Sequence, residues 1–297
     1  MASTGADRRG VGKVCLLTGG SAGLGRAAAF RLAAEGFHLF LACRNEAKTA
    51  ALIAEIKAAT PDATVEFLPL DLDSLASTRR CAERFLARNL PLHLLVANAG
   101  LGITGLTEDG FERQFQVNYL GHFLLVALLL DRLRTTAADA KASSPSDPVR
   151  IVLVSSIAYG LVGDVNYDDA RRAAGWGRSF FRMASSKLAM MWHMLELVRR
   201  LEGERVVVIA INPGPVATDF PASAQFSRIF QWLIKKLAMT PDAAVKNIVD
   251  PAILPAYGSA TGVYYDQLHL TALNAVGSDR ERARKLWIQS EIWTGLQ

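Results

Sequence analysis

A doubly wound parallel sheet of seven strands, with helices on both faces, is the α/β architecture this sequence predicts, on three observations. Short apolar runs alternate with amphipathic stretches along nearly the whole chain, six times before a last apolar run, which is the pattern of parallel strands joined by crossover helices. The runs are near-continuous rather than alternating, as strands buried on both faces require. The first run, Val14 to Leu17, ends in Thr18-Gly19-Gly20, and Gly23 and Gly25 follow before an Ala-rich helical stretch over 26–35.

That strand, glycine turn and helix let the backbone turn tightly and approach a bound group. The N–H groups at the helix start favour an anion, with a pyrophosphate as the candidate. A turn that merely needs small residues is the alternative at this point. FHLFLAC, at 37–43, is the second strand and closes on Cys43-Arg44. In dinucleotide folds this position meets the adenosine ribose: a carboxylate bonds the 2′-OH, whereas an arginine accommodates a 2′-phosphate. Arg44 without an acid favours NADP over NAD; the alternative is an ordinary surface charge.

A helix over 46–58, a strand over 65–70 and a helix over 75–88 follow, with Asp71 placed to accept from an adenine amino group and Asp73 or Ser74 as helix cap. The fourth strand, 92–97, is closed by Asn98-Ala99-Gly100, small residues that let the chain pass under a cofactor or simply turn. The long helix over 111–134 contains FQVNYLGHFLLVALLL. Asn118 there is either a satisfied core group or an organiser of backbone and water, and His122 reads as core packing. A loop over 137–148 leads to the fifth strand, 149–156, which delivers Ser155 and Ser156 at its C-terminal end, where ligands sit in open parallel sheets. Residues 157–182 carry Tyr159, Tyr167, Trp176, Phe180 and Phe181 and read as a loop with a helical piece, a wall for substrate. A helix over 183–201 contains Lys187, and a sixth strand, 205–211, ends in Asn212-Pro213-Gly214-Pro215. The aromatic stretch 226–237 is a lid or ordinary packing. Thr240-Pro241-Asp242 starts another helix, 262–265 is the seventh strand, and 278–293 closes as a helix. The whole chain, 1–297, reads as one dinucleotide-binding domain with substrate-loop segments near 157–182 and 220–240.

Composition narrows the function classes. Hydrophobic content of 51% and charged content of 21% describe an ordinary globular protein, and the +5 net charge comes from scattered basic residues, which argues against nucleic-acid binding. Cys15, Cys43 and Cys81 are too few and too dispersed for a metal site or a disulfide framework, so no metal is expected and a reducing, cytoplasmic setting fits. The N-terminus is polar, and the longest apolar run, 123–130, falls well short of the roughly 20 residues that span a bilayer; no membrane segment is expected. Arginine outnumbers lysine and alanine is abundant, which points to a GC-rich bacterial genome and a biosynthetic role.

Taken together, TGGSAGLG (18–25), ACR (42–44), DLDSL (71–75), ANAG (97–100), VNYLGHFLL (117–125), IVLVSS (151–156), SSK (185–187) and NPGPVAT (212–218) resemble the short-chain dehydrogenase/reductase family, in its retinol-dehydrogenase-like and protochlorophyllide-reductase-like branch. The resemblance runs from Lys13 to ARKLW near the C-terminus. It implies a Rossmann-type fold, a nicotinamide cofactor and a set of roles. Thr18, Gly19, Ser21, Gly23, Leu24 and Gly25 would cradle the pyrophosphate, Arg44 would meet the 2′-phosphate, and Asp71 and Leu72 would flank the adenine. Asn98, Ala99 and Gly100 would lie along the cofactor, and Pro213, Gly214, Val216 and Thr218 would border the nicotinamide. Ser156 would bond the reacting oxygen, Lys187 would hold the nicotinamide ribose and lower a neighbouring phenol pKa, and Asn118 would support a water chain to that lysine. Family members often pair through the helices that are 111–134 and 183–201 here, while members of this branch can be monomeric, so a monomer or a homodimer is expected.

One position departs from the family pattern. The residue four before the motif lysine, normally the proton-donating tyrosine, is Met183. A thioether neither gives nor takes a proton under physiological conditions, and general acid–base help is typically worth about 10²–10⁴-fold. Tyr159, whose leading reading is packing or pocket lining, and Lys187 itself are the replacement donors to consider, with Tyr167 behind them. Three readings follow. The first is an NADP(H)-dependent oxidoreductase acting on a bulky apolar carbonyl or enone with non-standard proton chemistry. The second is a redox-neutral isomerase or cyclase on the same scaffold. The third is a non-catalytic NADP-binding protein. A substitution introduced into an ordinary ketoreductase ranks below these, since phenylalanine is the usual choice for that purpose.

Overall fold

The apolar runs become strands: β1 (Val14–Thr18), β2 (His38–Cys43), β3 (Val65–Pro69), β4 (Leu94–Ala97), β5 (Val149–Val154), β6 (Val206–Asn212) and β7 (Val263–Asp266). A computed structural model describes residues 8–139, 147–172, 179–217, 238–258 and 260–297. Trp176, Thr218 and the 226–237 stretch lie outside them. The strands form one sheet in the order β3-β2-β1-β4-β5-β6-β7-β8, and the first seven are parallel. The chain starts mid-sheet, winds outward to β3, then returns across β1 to lay down β4. The strand order therefore reverses between β1 and β4, the crevice where open sheets of this kind bind ligands.

The sheet holds eight strands where seven are expected. β8 (His269–Thr271) folds back antiparallel on β7. Three exposed residues give no apolar signal, and the turn between the strands, Gln267-Leu268, holds positive φ at both positions without a glycine or asparagine to announce it.

Helices α1 (Gly23–Ala34), α2 (Glu46–Ala59), α3 (Leu75–Leu86), α4 (Arg113–Phe115), α5 (Gly121–Ala138), α6 (Ser179–Arg200), α7 (Pro241–Ala244), α8 (Lys246–Ile253) and α9 (Arg280–Thr294) cover the two faces. Alternation along β1 shows the division: Leu16 belongs to a core shared with α3, α5, α6 and α9, and Leu17 to one shared with α1, α2 and α8. The helix expected over 111–134 is broken. Between α4 and α5 lies a π-helical turn, Gln116–Leu120, in which the Gly121 N–H bonds the Gln116 carbonyl, one residue further back than in an α-helix. Within 157–182, short 3₁₀ turns occupy Ile157–Leu161 and Asp169–Arg171, and α6 already begins at Ser179, ahead of the expected 183. All three cysteines are buried and unpaired. Among the described residues no helix is long and apolar enough to cross a membrane, and no group of side chains could hold a metal ion.

Candidate active site

The C-terminal ends of β1, β4, β5 and β6 gather most of the residues that the sequence singles out. Beyond Thr18, Gly19 and Gly23 take left-handed conformations, φ +71° and +50°, which a side chain would strain. A Cβ on Gly25 would lie 2.2 Å from the Gly19 carbonyl oxygen and 2.7 Å from Asn98 Nδ2, and one on Gly19 would lie 2.8 Å from Ala99. The glycine turn, the start of α1 and the 98–100 segment therefore pack backbone against backbone. Asn98 Nδ2 also donates to the Thr18 carbonyl at 2.9 Å. Leu24 is buried beneath the turn, and Ser21 lies against the Cys43 thiol, which burial pushes above its ordinary pKa.

The first turn of α1 has no acid, and Ala22, which precedes it, supplies no side-chain cap. By contrast Asn45, Ser74, Glu112, Thr240 and Asp279 cap α2, α3, α4, α7 and α9. The leading N–H groups of α1 are thus left for an anion. Arg44 stands exposed just past β2, with no side-chain partner among the described residues. Asp71 accepts from the Asp73 N–H at 3.1 Å. Leu72 is buried against α5, where a Cβ on Gly121 would fall 2.9 Å from its Cδ2.

The second cluster centres on Lys187. Its Nζ donates to the Val154 carbonyl at the end of β5, 2.9 Å away, and burial pushes its pKa down to about 8. A Cβ on Gly100 would come 3.2 Å from Asn118 Oδ1 and 3.9 Å from Lys187 Nζ, so lysine, asparagine and the 98–100 segment meet at one point. Asn118, in the π-helical turn, is satisfied: Oδ1 accepts from the Leu101 N–H (2.8 Å), and Nδ2 donates to the Leu101 carbonyl and to Ser186 Oγ, both at 3.1 Å. Ser186 in turn donates to the Met183 carbonyl at 2.7 Å. Ser156 is half-buried and accepts from the Ala158 N–H at 3.2 Å, while Ser155 donates to the Lys187 carbonyl at 3.1 Å and so ties β5 to α6.

Met183 lies one turn before Lys187 on the same face of α6. It is buried, packed with Ala158, Ala184, Val162 and Phe180. Tyr159 packs elsewhere. Its hydroxyl accepts from the Asn274 N–H at 3.3 Å, its ring meets Tyr264 edge-on at 5.6 Å, and a Cβ on Gly277 would touch that ring. The 3₁₀ turn after Ser156 seats the ring against the 274–277 segment. Tyr167 packs edge-on against Trp293 at 5.5 Å.

At the end of β6, Asn212 donates to Asp266 at 2.7 Å and accepts from the Gly214 N–H at 3.1 Å, which shapes the Pro213-Gly214 turn. Gly214 has φ +84°, and a Cβ there would fall 2.8 Å from the Gln267 side chain. Val216 pairs with Met239. The sequence placed Ser155 at the strand end and Ser186 within the 185–187 motif without assigning either a bond, and it held no signal for Gln267, because the β7–β8 turn alone brings it to Gly214.

The family model for short chain dehydrogenase matches residues 13–167. Human polyprenol dehydrogenase is 34% identical over 294 residues, covering 96% of this chain and 86% of that protein, and human retinol dehydrogenase 13 is 35% identical over 298 residues with the same two coverages. Among solved structures, an uncharacterized protein from Mycobacterium paratuberculosis superposes with a TM-score of 0.73 at 26% identity, covering 99% of this chain and 98% of that one. The NADPH-bound carbonyl reductase from chicken fatty liver gives 0.65 at 20% identity, over 89% and 100% of the two chains, a likeness of fold. Sequence and structure agree that this chain is an oxidoreductase of the short-chain dehydrogenase family.

Proposed function

We propose that the chain is an NADP(H)-dependent oxidoreductase acting on a bulky apolar carbonyl or enone without the family's phenolic acid. The observation that carries this reading is the apolar, buried Met183 one turn from a buried, hydrogen-bonded Lys187. The uncapped start of α1 and the space-filling contacts at Gly19 and Gly25 suit a pyrophosphate. Arg44, exposed at the end of β2 where the strand closes on no acid, suits a 2′-phosphate. When bound, NADPH supplies a hydride.

The chain's own residues then set what reduction it can support. Lys187, with a pKa of about 8, is predominantly cationic at neutral pH. Ser156 offers a hydroxyl at the same strand end. Both favour negative charge on a substrate oxygen as it develops. An isolated ketone would become an alkoxide needing a proton at once, and with Met183 in the phenol's place that proton would have to come from Lys187, which already donates to the Val154 carbonyl, or from solvent. A C=C bond conjugated to a carbonyl would instead become a resonance-stabilised enolate, whose oxygen these donors can hold while solvent protonates carbon.

Ile103, Leu106, Ile157, Leu161 and Phe181 are exposed on the segments after β4 and β5 and at the start of α6, which supports an apolar substrate. The names of the relatives, polyprenol and retinol dehydrogenase, point to the same class. α9 lies over α5 and α6: Trp287 meets Phe123 at 4.8 Å and His193 at 5.6 Å, and Tyr119 bonds Ser290 at 2.8 Å. The chain's own helix thus covers a surface through which family members pair, which supports a monomer. A cytoplasmic setting fits the buried free thiols.

The test is Met183→Tyr beside Met183→Phe, which adds a ring without a hydroxyl. The wild type is expected to oxidise NADPH stoichiometrically with enones, and only the tyrosine variant to gain ketone reduction. Product formed with no change in nicotinamide absorbance would establish a redox-neutral enzyme instead. NADPH binding with no turnover across a broad enone panel would establish a non-catalytic binder. No gain with tyrosine, in a variant that folds and binds NADPH, would show that the pocket is not beside position 183.

A further inference from the structure

The Thr18 hydroxyl, wholly buried at the end of β1, has more partners than hydrogens. It accepts from the N–H groups of Asn98 at 2.9 Å, a hydrogen shared with the Val96 carbonyl at 3.1 Å, and of Ala99 at 3.0 Å, which occupies both of its lone pairs. Its single hydrogen must then find an acceptor. Two are in reach, the Val96 carbonyl at 3.4 Å and His122 Nε2 at 2.9 Å, and distance favours the ring. His122 is itself buried, and burial pushes its pKa down to about 3, so the imidazole is neutral across the physiological range. A neutral ring has one accepting and one donating nitrogen. With Nε2 accepting, Nδ1 carries the hydrogen, and an acceptor faces it: the Asn118 carbonyl, at a longer 3.4 Å.

The ring therefore stands between two parts of the site. On one side is the hydroxyl that holds the 98–99 turn; on the other is the π-helical turn whose Asn118 side chain grips Leu101 and Ser186. A valine or leucine at 122 would fill core space as well, but it would leave the Thr18 hydrogen only the distant Val96 carbonyl. The hydroxyl would then be free to rotate, and one of its lone pairs would leave Asn98 or Ala99.

We propose that His122 is a positioning residue: its Nε2 fixes the Thr18 hydroxyl so that the hydroxyl's lone pairs hold the Asn98–Ala99 turn at the height a bound dinucleotide requires. This rests on the reading that the 18–25 and 98–100 segments form the cofactor floor. It concerns a side chain that would lie beneath that floor and touch no ligand.

Three variants separate this role from mere packing. His122→Phe keeps a ring of similar shape with no acceptor. His122→Gln can place an amide oxygen near the position of Nε2, and His122→Asn reaches only as far as Nδ1. NADPH affinity is read by the quenching of tryptophan fluorescence, and backbone amide exchange over 96–100 is read in the cofactor-free protein. His122→Phe and His122→Asn should weaken NADPH binding about five- to tenfold, the scale of one net hydrogen bond, and speed exchange at Asn98 and Ala99. His122→Gln should stay within about twofold of wild type on both counts. In a Thr18→Val background, His122→Phe should add nothing further, since the hydroxyl it serves is gone.

Equal losses in all three variants would show a packing role and overturn the proposal. So would wild-type exchange in His122→Phe, or an undiminished effect of that change in the Thr18→Val background. Failure of the wild type to bind NADPH would sink the cofactor reading, and the exchange measurement on the free protein would still decide whether His122 holds the turn.

Discussion

Replacing Lys187 with methionine should make the folded protein more stable and the enzyme inactive. Burial holds this ammonium at about 8, against an ordinary value of 10.5. That gap corresponds to ~3 kcal/mol of cost for keeping the charged form inside. Methionine removes the charge at similar length but leaves the Val154 carbonyl without its 2.9 Å donor, a loss of about 1–2 kcal/mol. The net gain at pH 7 is then about 1–2 kcal/mol. The sign with pH follows from linkage. The native pKa lies below the unfolded one, so the penalty is present in full below about pH 8, shrinks as pH rises toward 10.5, and is gone above it. The advantage of the variant should shrink along the same course and turn into a small deficit at the alkaline end. Urea denaturation at pH 7 and pH 10, followed by tryptophan fluorescence, reads both numbers. A stability difference that does not change with pH, or a variant less stable than wild type at pH 7, would refute the reasoning.

Two further outcomes are expected. Arg44→Asp should weaken NADPH binding about 10–100-fold while improving NADH binding, because one charge-assisted partner of a 2′-phosphate is exchanged for an acceptor suited to a free 2′-OH; unchanged affinity for both cofactors would remove Arg44 from the site. Tyr159→Phe should cost about 1 kcal/mol of stability, for the lost bond to the Asn274 N–H, and leave the pH dependence of turnover unaltered; a variant that folds but cannot turn over would return the phenol to the chemistry.

How far the fold was legible follows from what kind of signal each element left. Strands such as Cys15-Leu16-Leu17 and Val206 to Ile211 are buried on both faces, so an apolar run was enough to find them. β8 left no trace because its three residues are exposed and its turn is built from Gln267 and Leu268. Asn118 announced itself as a polar side chain in an apolar stretch, but the shift to a π-helical ladder around it depends on packing and has no local signature. The offset between Met183 and Lys187 was readable because helical spacing is local. The destination of Tyr159 was not, since its partner Asn274 lies 115 residues further on. His122 was legible as a core residue and not as the acceptor for Thr18, a contact across 104 residues.

The frame around position 183 does not depend on the side chain that occupies it. Asn118 fixes Ser186, and Ser186 bonds the carbonyl of Met183 rather than its thioether. Ser155 holds the backbone of Lys187 in the same way, and Val154 receives its amine. Each of these bonds would survive a change at 183, so the backbone around that position is held independently of its side chain. On the proposed reading, the difference from the family pattern is one of proton supply, not of placement. This favours a substrate whose reduced form can wait for solvent, as an enolate can, over a site whose geometry has been lost.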